Sequence, residues 1–305
     1  MNKVLDDNSI EKWCSSTPFL LNFSKFWARY MPRGKGWVPR ITGRLFCKKM
    51  KACIRTSSGL IMAIDPKNLD IYCNIWASGG TWERHVLNTC LGALKKRDVF
   101  YDIGANAGIF TLEAANLLKN SIQVHSFEPQ ESLVNTLRTS LLLNKFNNVT
   151  THKFLLSDKS RKNTLYIPKR GHSIHASTVA RDESTIEKQY ESFTIDNLVK
   201  DKVIPAPNVV KMDVEGSELS VLKGAKKTIQ RHKPVIVFEA DENMKRFGYN
   251  HREIFDLLLS LADYIFYFIR DEANIELINN ETKKPFGNYV AIPKLSNRLK
   301  KIVNY

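Results

Sequence analysis

The chain has 305 residues, 43% of them hydrophobic and 25% charged, with a mean hydropathy of −0.29. That balance excludes a disordered chain and a membrane-spanning one, since apolar runs such as 264–269 and 235–238 are strand-sized, far short of the roughly 18 residues a spanning helix needs. The net charge of +15 is uneven: residues 1–60 hold twelve Lys/Arg against three Asp/Glu, residues 294–305 add four cations, and the 233 residues between carry a surplus of only two.

This distribution places the basicity at the two ends, where an acidic glycan, an anionic membrane surface or RNA would each match it. The first twelve residues carry acids where a secretory signal needs an apolar run, so the expected location is the cytoplasm, with peripheral contact to a membrane surface open. The five cysteines (Cys14, Cys47, Cys53, Cys73 and Cys90) are odd in number and form no C-x-x-C pair. A disulfide framework and a zinc site are therefore not expected.

Thr17 and Pro18 form an N-cap and first-turn pair, after which Phe19, Leu20, Phe23, Phe26, Trp27 and Tyr30 recur at helical spacing until Pro32 and Gly34. The aromatic face of this helix, flanked by Lys25 and Arg29, suits packing on the main domain or docking to an interface or acceptor. Positions 45–56 and 60–65 read as a hairpin through Ser57-Ser58-Gly59, and a helix over 82–94 is expected with Thr81 as its cap. From Asp98 onward, short apolar runs alternate with helical patterns, as in a parallel sheet with crossover helices. Strands are expected at 99–103, 123–128, 150–156, 209–213, 235–239, 264–270 and 289–292. Helices are expected at 109–118, 131–144, 218–231 and 252–262, with short strands around Leu165 and Phe193. The fold class is thus α/β, a doubly wound, mostly parallel sheet of seven strands of the Rossmann-like kind. Its expected division is a basic extension of helix, hairpin and helix over 1–97, a catalytic domain over 98–293 and a basic tail over 294–305.

Asp102-Ile103-Gly104-Ala105-Asn106-Ala107-Gly108 lies where the first strand ends and a helix begins, the crevice position of a doubly wound sheet. The dinucleotide fingerprint G-x-G-x-x-G fails at Asn106 and Ile109. A carboxylate at Asp102 would repel a pyrophosphate but suits a ligand bearing an ammonium and a sulfonium, which S-adenosylmethionine does. Gly104, Ala105, Asn106 and Gly108 are its expected backbone cradle. Glu128, ending the second strand before Pro129, has two oxygens with which to accept both ribose hydroxyls. Ser157-Asp158, after the third strand, is positioned for the adenine edge.

The DIGANAGIFT run, SFEP, LLSD, and Lys211-Met212-Asp213-Val214-Glu215-Gly216-Ser217-Glu218 leading to Val221-Leu222-Lys223-Gly224-Ala225 together resemble the FkbM family of class I S-adenosylmethionine-dependent methyltransferases. The resemblance spans Gly80 to Pro293, and Gly80-Thr81-Trp82-Glu83 is similar to an element preceding the first core strand, which brings Glu83 into the expected cofactor set. It implies methyl transfer, commonly to hydroxyls of polyketides, sugars or glycans and sometimes to peptide amide nitrogens.

In-line methyl transfer requires alignment, exclusion of water and a destination for the acceptor proton. Asp213 and Glu215 follow the fourth strand on the cofactor side, and Glu239 ends the fifth, so these three are the catalytic candidates. Asp213 or Glu215 would take the proton, although Glu215 and Gly216 also suit a helix entry. Asp241 with Asp213 and Glu239 could hold a cation, but no metal is expected. His172 and His175 could share a metal or act as a base, or be merely solvated. Neither a G-x-S-x-G elbow nor a P-loop occurs. The expected function is O-methylation of a hydroxyl on a sugar, glycan or secondary metabolite. The rivals are N-methylation of a peptide side-chain amide, nucleic-acid methylation (disfavoured by the near-neutral core and the lack of a D/N-P-P-[YF] loop), and a silent binding protein. The expected partner is a small-molecule, glycan or peptide acceptor.

Overall fold

The computed structural model describes residues 26, 30, 53–64, 71–72, 74–75, 79–117, 121–168, 176–179, 185–270, 275–278 and 285–298. Of the expected N-terminal helix, only Phe26 and Tyr30 fall among them; both are helical and exposed, with ring centroids 4.9 Å apart. The rest of that helix, the hairpin positions 45–52 and 65, His172, His175, and Lys300 and Lys301 of the tail lie outside the described residues.

The described chain begins with a hairpin of β1 (Cys53–Arg55) and β2 (Ile61–Ala63), followed by α1 (Arg84–Ala93). The expected Thr81 cap is not used: Glu83 stands at the N-cap in the left-handed region, φ 43°, and makes no side-chain capping bond. Two strand–helix units follow, β3 (Val99–Ile103) with α2 (Ile109–Leu117) and β4 (Gln123–Phe127) with α3 (Glu131–Leu143), ending in β5 (Val149–His152). The expected third strand breaks at Lys153-Phe154. Its second part, β6 (Leu155–Leu156), joins β7 (Arg161–Pro168) and β8 (Thr185–Phe193) in a separate three-stranded sheet of order β6-β8-β7.

Next come α4 (Ile195–Lys200), β9 (Val209–Met212), α5 (Glu218–Lys223), α6 (Lys226–His232) and β10 (Val235–Ala240). The single helix expected over 218–231 is split at Gly224, which packs against the Ser157 carbonyl where a side chain would not fit, and Asp196 accepts from the N–H groups of Lys227 and Thr228 at 3.0 and 2.8 Å at the start of the second helix. A 3-10 turn (Glu242–Phe247) leads to α7 (His251–Leu261), which opens with a capping box between Asn250 and Glu253. β11 (Tyr264–Ile269), β12 (Ile275–Ile278) and β13 (Gly287–Pro293) complete the chain of elements.

The main sheet runs β12-β11-β13-β10-β9-β3-β4-β5. From β10 to β5 neighbouring strands are parallel, whereas β13 runs antiparallel to both β10 and β11. All seven expected strands are present, and the count is corrected to eight by β12, a short, partly exposed edge strand too weakly patterned to read from sequence. The chain leaves β3 first toward β4 and β5 and later returns to its other side at β9. The crevice above β3 and β9 is therefore the switch point at which such sheets bind ligands.

Both faces of the sheet are covered, so its strands read as nearly continuous apolar runs. Phe100, Val209, Val237 and Val290 face the helices α1, α2 and α3, while Tyr101, Val210, Phe238 and Tyr289 face α4 to α7. The β1–β2 hairpin and Ile71, Tyr72 and Ile75 belong to the first of these clusters. Side chains of α3 satisfy the backbone of β2: Asn144 accepts from Ile61 N–H at 2.9 Å and Ser140 accepts from Ala63 N–H at 2.9 Å. Arg298, counted as tail charge in the sequence, is ion-paired to the buried Asp98 and donates to the Ala93 carbonyl at 2.6 Å. No helix among the described residues is long and apolar enough to cross a membrane.

Candidate active site

A cavity of about 440 Å³ opens at the carboxyl ends of β3, β4, β9 and β10. On one side lies the loop from β3 into α2. Gly104 has φ 76° and its missing side chain leaves room for the Asp213 carbonyl oxygen, which a Cβ would meet at 1.9 Å; glycine is the residue that permits both. Asn106 is also left-handed, φ 51°. Gly104 and Ala105 anchor the loop by donating to the Phe127 carbonyl at 3.0 and 3.1 Å, and Gly108, φ 85°, lets Leu137 pack directly on the backbone.

The Glu128 carboxylate is buried at the end of β4 and accepts backbone N–H groups with both oxygens, from Asn106 at 3.1 Å and from Gln130 at 2.9 Å. Burial pushes its pKa up to about 7, against those two donors. Pro129 and Asp158 continue this wall, and Ser157 donates to Asp158 at 3.2 Å.

Three expected cofactor residues stand off the cavity wall. Ala105 and Gly108 act through the loop's backbone, and Asp102 is wholly buried behind the loop. There its carboxyl accepts from Thr111 Oγ1 at 2.6 Å and lies 3.8 Å from Lys211 Nζ, and burial pushes its pKa up.

The opposite side of the cavity collects the remaining acids. Asp213 follows β9 and pairs with Lys211 at 3.3 Å. Glu215, in the left-handed region at φ 55°, accepts from Asn243 Nδ2 at 3.1 Å. Glu239 at the end of β10 has its pKa pushed up to about 10, by burial first and then by Asp213 and Asp241. Glu83, delivered by the N-terminus of α1, is raised to about 7 by burial and by Asp213. Carboxyls raised in this way hold their protons at neutral pH or share them, so this half of the cavity is less negative than its residue list suggests.

Two further residues were missed as site residues. Lys211 is a lysine inside a strand covered on both faces, and that placement is its sequence signal. Glu218 is fully buried and accepts from Val214 N–H at 2.9 Å and Gly216 N–H at 3.4 Å, while the Tyr249 hydroxyl donates to the Gly216 carbonyl at 2.7 Å. Together they clamp the turn that presents Asp213 and Glu215. Among the described residues no group of three His, Cys, Asp or Glu side chains has metal-holding geometry. Cys53 and Cys90 are buried, and Cys90 is a free thiol.

The switch-point crevice, the glycine turn closing on Asp213 and the carboxylate at the end of the adjacent strand form the ligand site of a Rossmann-like α/β domain. Comparison with known proteins gives the particular family. The profile described as Methyltransferase FkbM domain matches residues 102–266, more than half of the chain. The chain belongs to this family of S-adenosylmethionine-dependent methyltransferases. It is 30% identical over 168 residues to the hexuronic acid methyltransferase AglP of Haloferax volcanii, a match covering 51% of this chain and 61% of that protein. Among solved structures, it is similar to methyltransferase FkbM from Methylobacillus flagellatus KT (20% identity, 75% of this chain, 55% of that chain, TM-score 0.44). It is also similar to M. jannaschii TYW2 in complex with AdoMet (14% identity, 79% of this chain, 83% of that chain, TM-score 0.40).

The residues present fit the cofactor of that class. Asn106 Oδ1, on the cavity wall, is a buried polar atom with no hydrogen-bond partner among the described residues. A polar atom buried without a partner is costly unless a ligand or water completes it.

Proposed function

We propose that this chain transfers the methyl group of S-adenosylmethionine to a hydroxyl of a sugar or glycan. The observation that carries the reading is the division of one cavity into a backbone-built cradle with Glu128 and a facing set of four carboxyls, Glu83, Asp213, Glu215 and Glu239. The partial match to a protein described as a hexuronic acid methyltransferase supports a sugar acceptor. When bound, the cofactor supplies a methyl group activated by a positive sulfur.

The chain's own residues supply the rest. Gly104 and Asn106 line the donor cradle, the remaining lone pairs of Glu128 accept ribose hydroxyls, and Asp158 meets the adenine edge. Asp213 takes the proton of the attacking hydroxyl. Glu239, holding its proton at neutral pH, donates a hydrogen bond to another oxygen of the acceptor. A neutral hydroxyl suits this surface; an ionised acceptor carboxylate facing Asp213 and Glu215 would be repelled. The basic segment 1–60 is assigned to drawing in an acidic acceptor or an anionic surface, and the chain to the cytoplasm. Residues 1–97 are assigned as the acceptor-side extension of a catalytic domain at 98–293.

The test is transfer of labelled methyl from S-adenosylmethionine to a panel of neutral and uronic-acid oligosaccharides, a side-chain amide peptide and an RNA. A sugar methyl ether is expected. Labelling of the peptide or RNA alone would overturn the reading.

A further inference from the structure

Lys211 lies near the middle of the sheet, in a strand whose two faces are both packed, with only 5% of its side chain exposed. A buried ammonium persists only where its three protons find partners. Here the partners belong to both halves of the cavity. Its Nζ makes hydrogen bonds to Asp213 Oδ2 at 3.3 Å and the Gly104 carbonyl oxygen at 3.4 Å, while Asp102 Oδ1 stands 3.8 Å away as a charge contact without a hydrogen bond and the Phe110 ring centroid lies at 4.7 Å. One cation thus touches the donor loop, through Gly104, and the acceptor half, through Asp213.

We propose that Lys211 is the positioning residue of the transfer: its ammonium ties down one oxygen of Asp213 and sets that base against the donor loop. The proposal rests on Asp213 being the base. Apart from Lys211, the charged groups around Asp213 are acids. Glu83 faces it from the start of α1, Asp102 from β3, Glu239 from the end of β10 and Glu218 from its own turn. Glu128 from β4 and the Cys90 thiol from α1 also face Lys211. Among these described neighbours Lys211 is the cation, and a merely structural lysine would leave the pH dependence of turnover unchanged.

The experiment is the pH profile of kcat/KM, with S-adenosylmethionine affinity measured by calorimetry, for the full chain and for Lys211→Met, Lys211→Arg and Asp213→Asn. In Lys211→Met the acid limb moves to higher pH by about one unit or more, the size expected from losing an opposite charge within about 4–6 Å. Turnover falls about a hundredfold, and cofactor affinity weakens by less than about tenfold, because Lys211 reaches the donor loop by one carbonyl only. Lys211→Arg keeps the acid limb near its original position, since the charge is retained.

A Lys211→Met protein with the original acid limb overturns the proposal even while Asp213→Asn is inactive. An Asp213→Asn protein with full turnover overturns the base reading and this proposal with it. If Lys211→Met fails to fold alone but folds when combined with Asp213→Asn, the charge pair is supported. Failure in both backgrounds overturns it, because the lysine would then serve the core rather than the base.

Discussion

The two halves of the cavity are built on different principles. The donor half is held by main chain: Gly104 and Ala105 are tied to Phe127, and the Glu128 carboxylate is aimed by two N–H groups from Asn106 and Gln130. The acceptor half is held by side chains acting on one another, with Asp213 on Lys211, Glu215 on Asn243, and Glu239 crowded by Asp213 and Asp241. A backbone-built site presents one fixed geometry. A site built from mutually interacting carboxyls has a protonation pattern that belongs to the group, so a change at one residue alters its neighbours.

That contrast is sharpened most by removing the proposed base. Asp213→Asn should lower turnover by about a factor of 10²–10⁴, the usual contribution of a positioned general base, while cofactor affinity stays within about threefold. Calorimetry beside steady-state rates separates the two, and a loss of affinity equal to the loss of turnover would move Asp213 into the donor half. Glu128→Ala should do the reverse and weaken S-adenosylmethionine binding about a hundredfold, as expected when hydrogen bonds to a charged group worth about 1.5–3 kcal/mol each are lost. Unchanged affinity would break the claim that Glu128 organises the donor side.

Much of the donor half was legible in the sequence because main-chain geometry is announced by glycine, by strand ends and by Glu-Pro. Asp102 is the exception: the reading put it against the ligand, but the pleat turns it to the face shared with Thr111 and Lys211, and one residue of alternation decides which face. Of the facing carboxyls, Asp213, Glu215 and Glu239 were legible as catalytic candidates, whereas Glu83 was expected with the cofactor set, and their arrangement was not legible. Glu83 arrives from 130 positions before Asp213, on a helix whose start was assigned to Thr81, and its proximity depends on tertiary packing. Lys211 was quoted inside a motif without a role, although a lysine between Val210 and Met212 in a doubly covered strand is itself a signal. The β7–β8 hairpin reads from sequence only as short strands because most of β8 is polar and exposed.

Smaller effects probe the periphery of the comparison. Removing residues 1–43 should raise the acceptor KM several-fold and leave cofactor affinity unaltered, and the increase should shrink with added salt, since exposed charges are screened over about 8 Å at physiological ionic strength. A KM unchanged at low salt would make the segment dispensable for acceptor binding. The smallest expected effect is on stability. Glu239 keeps its proton to about pH 10 in the folded chain, while an ordinary glutamate releases it near 4.5. Between those limits the unfolded chain binds fewer protons, so folding stability falls as pH rises. Glu239→Gln should therefore raise Tm at pH 8, by about 2 °C for a gain on the order of 1 kcal/mol, with no gain below about pH 4.5. Equal gains at both pH values would mean that the carboxyl carries no such burden.

The most direct test of the central claim is the chemical nature of the product formed from S-adenosylmethionine and a uronic-acid oligosaccharide, a substrate that offers hydroxyls and a carboxylate to the same cavity. The account predicts an alkali-stable methyl ether on a ring hydroxyl, formed by the full chain and lost in Asp213→Asn. An alkali-labile methyl ester, formed equally by both proteins, would contradict it, because a carboxylate acceptor has no proton for Asp213 to take.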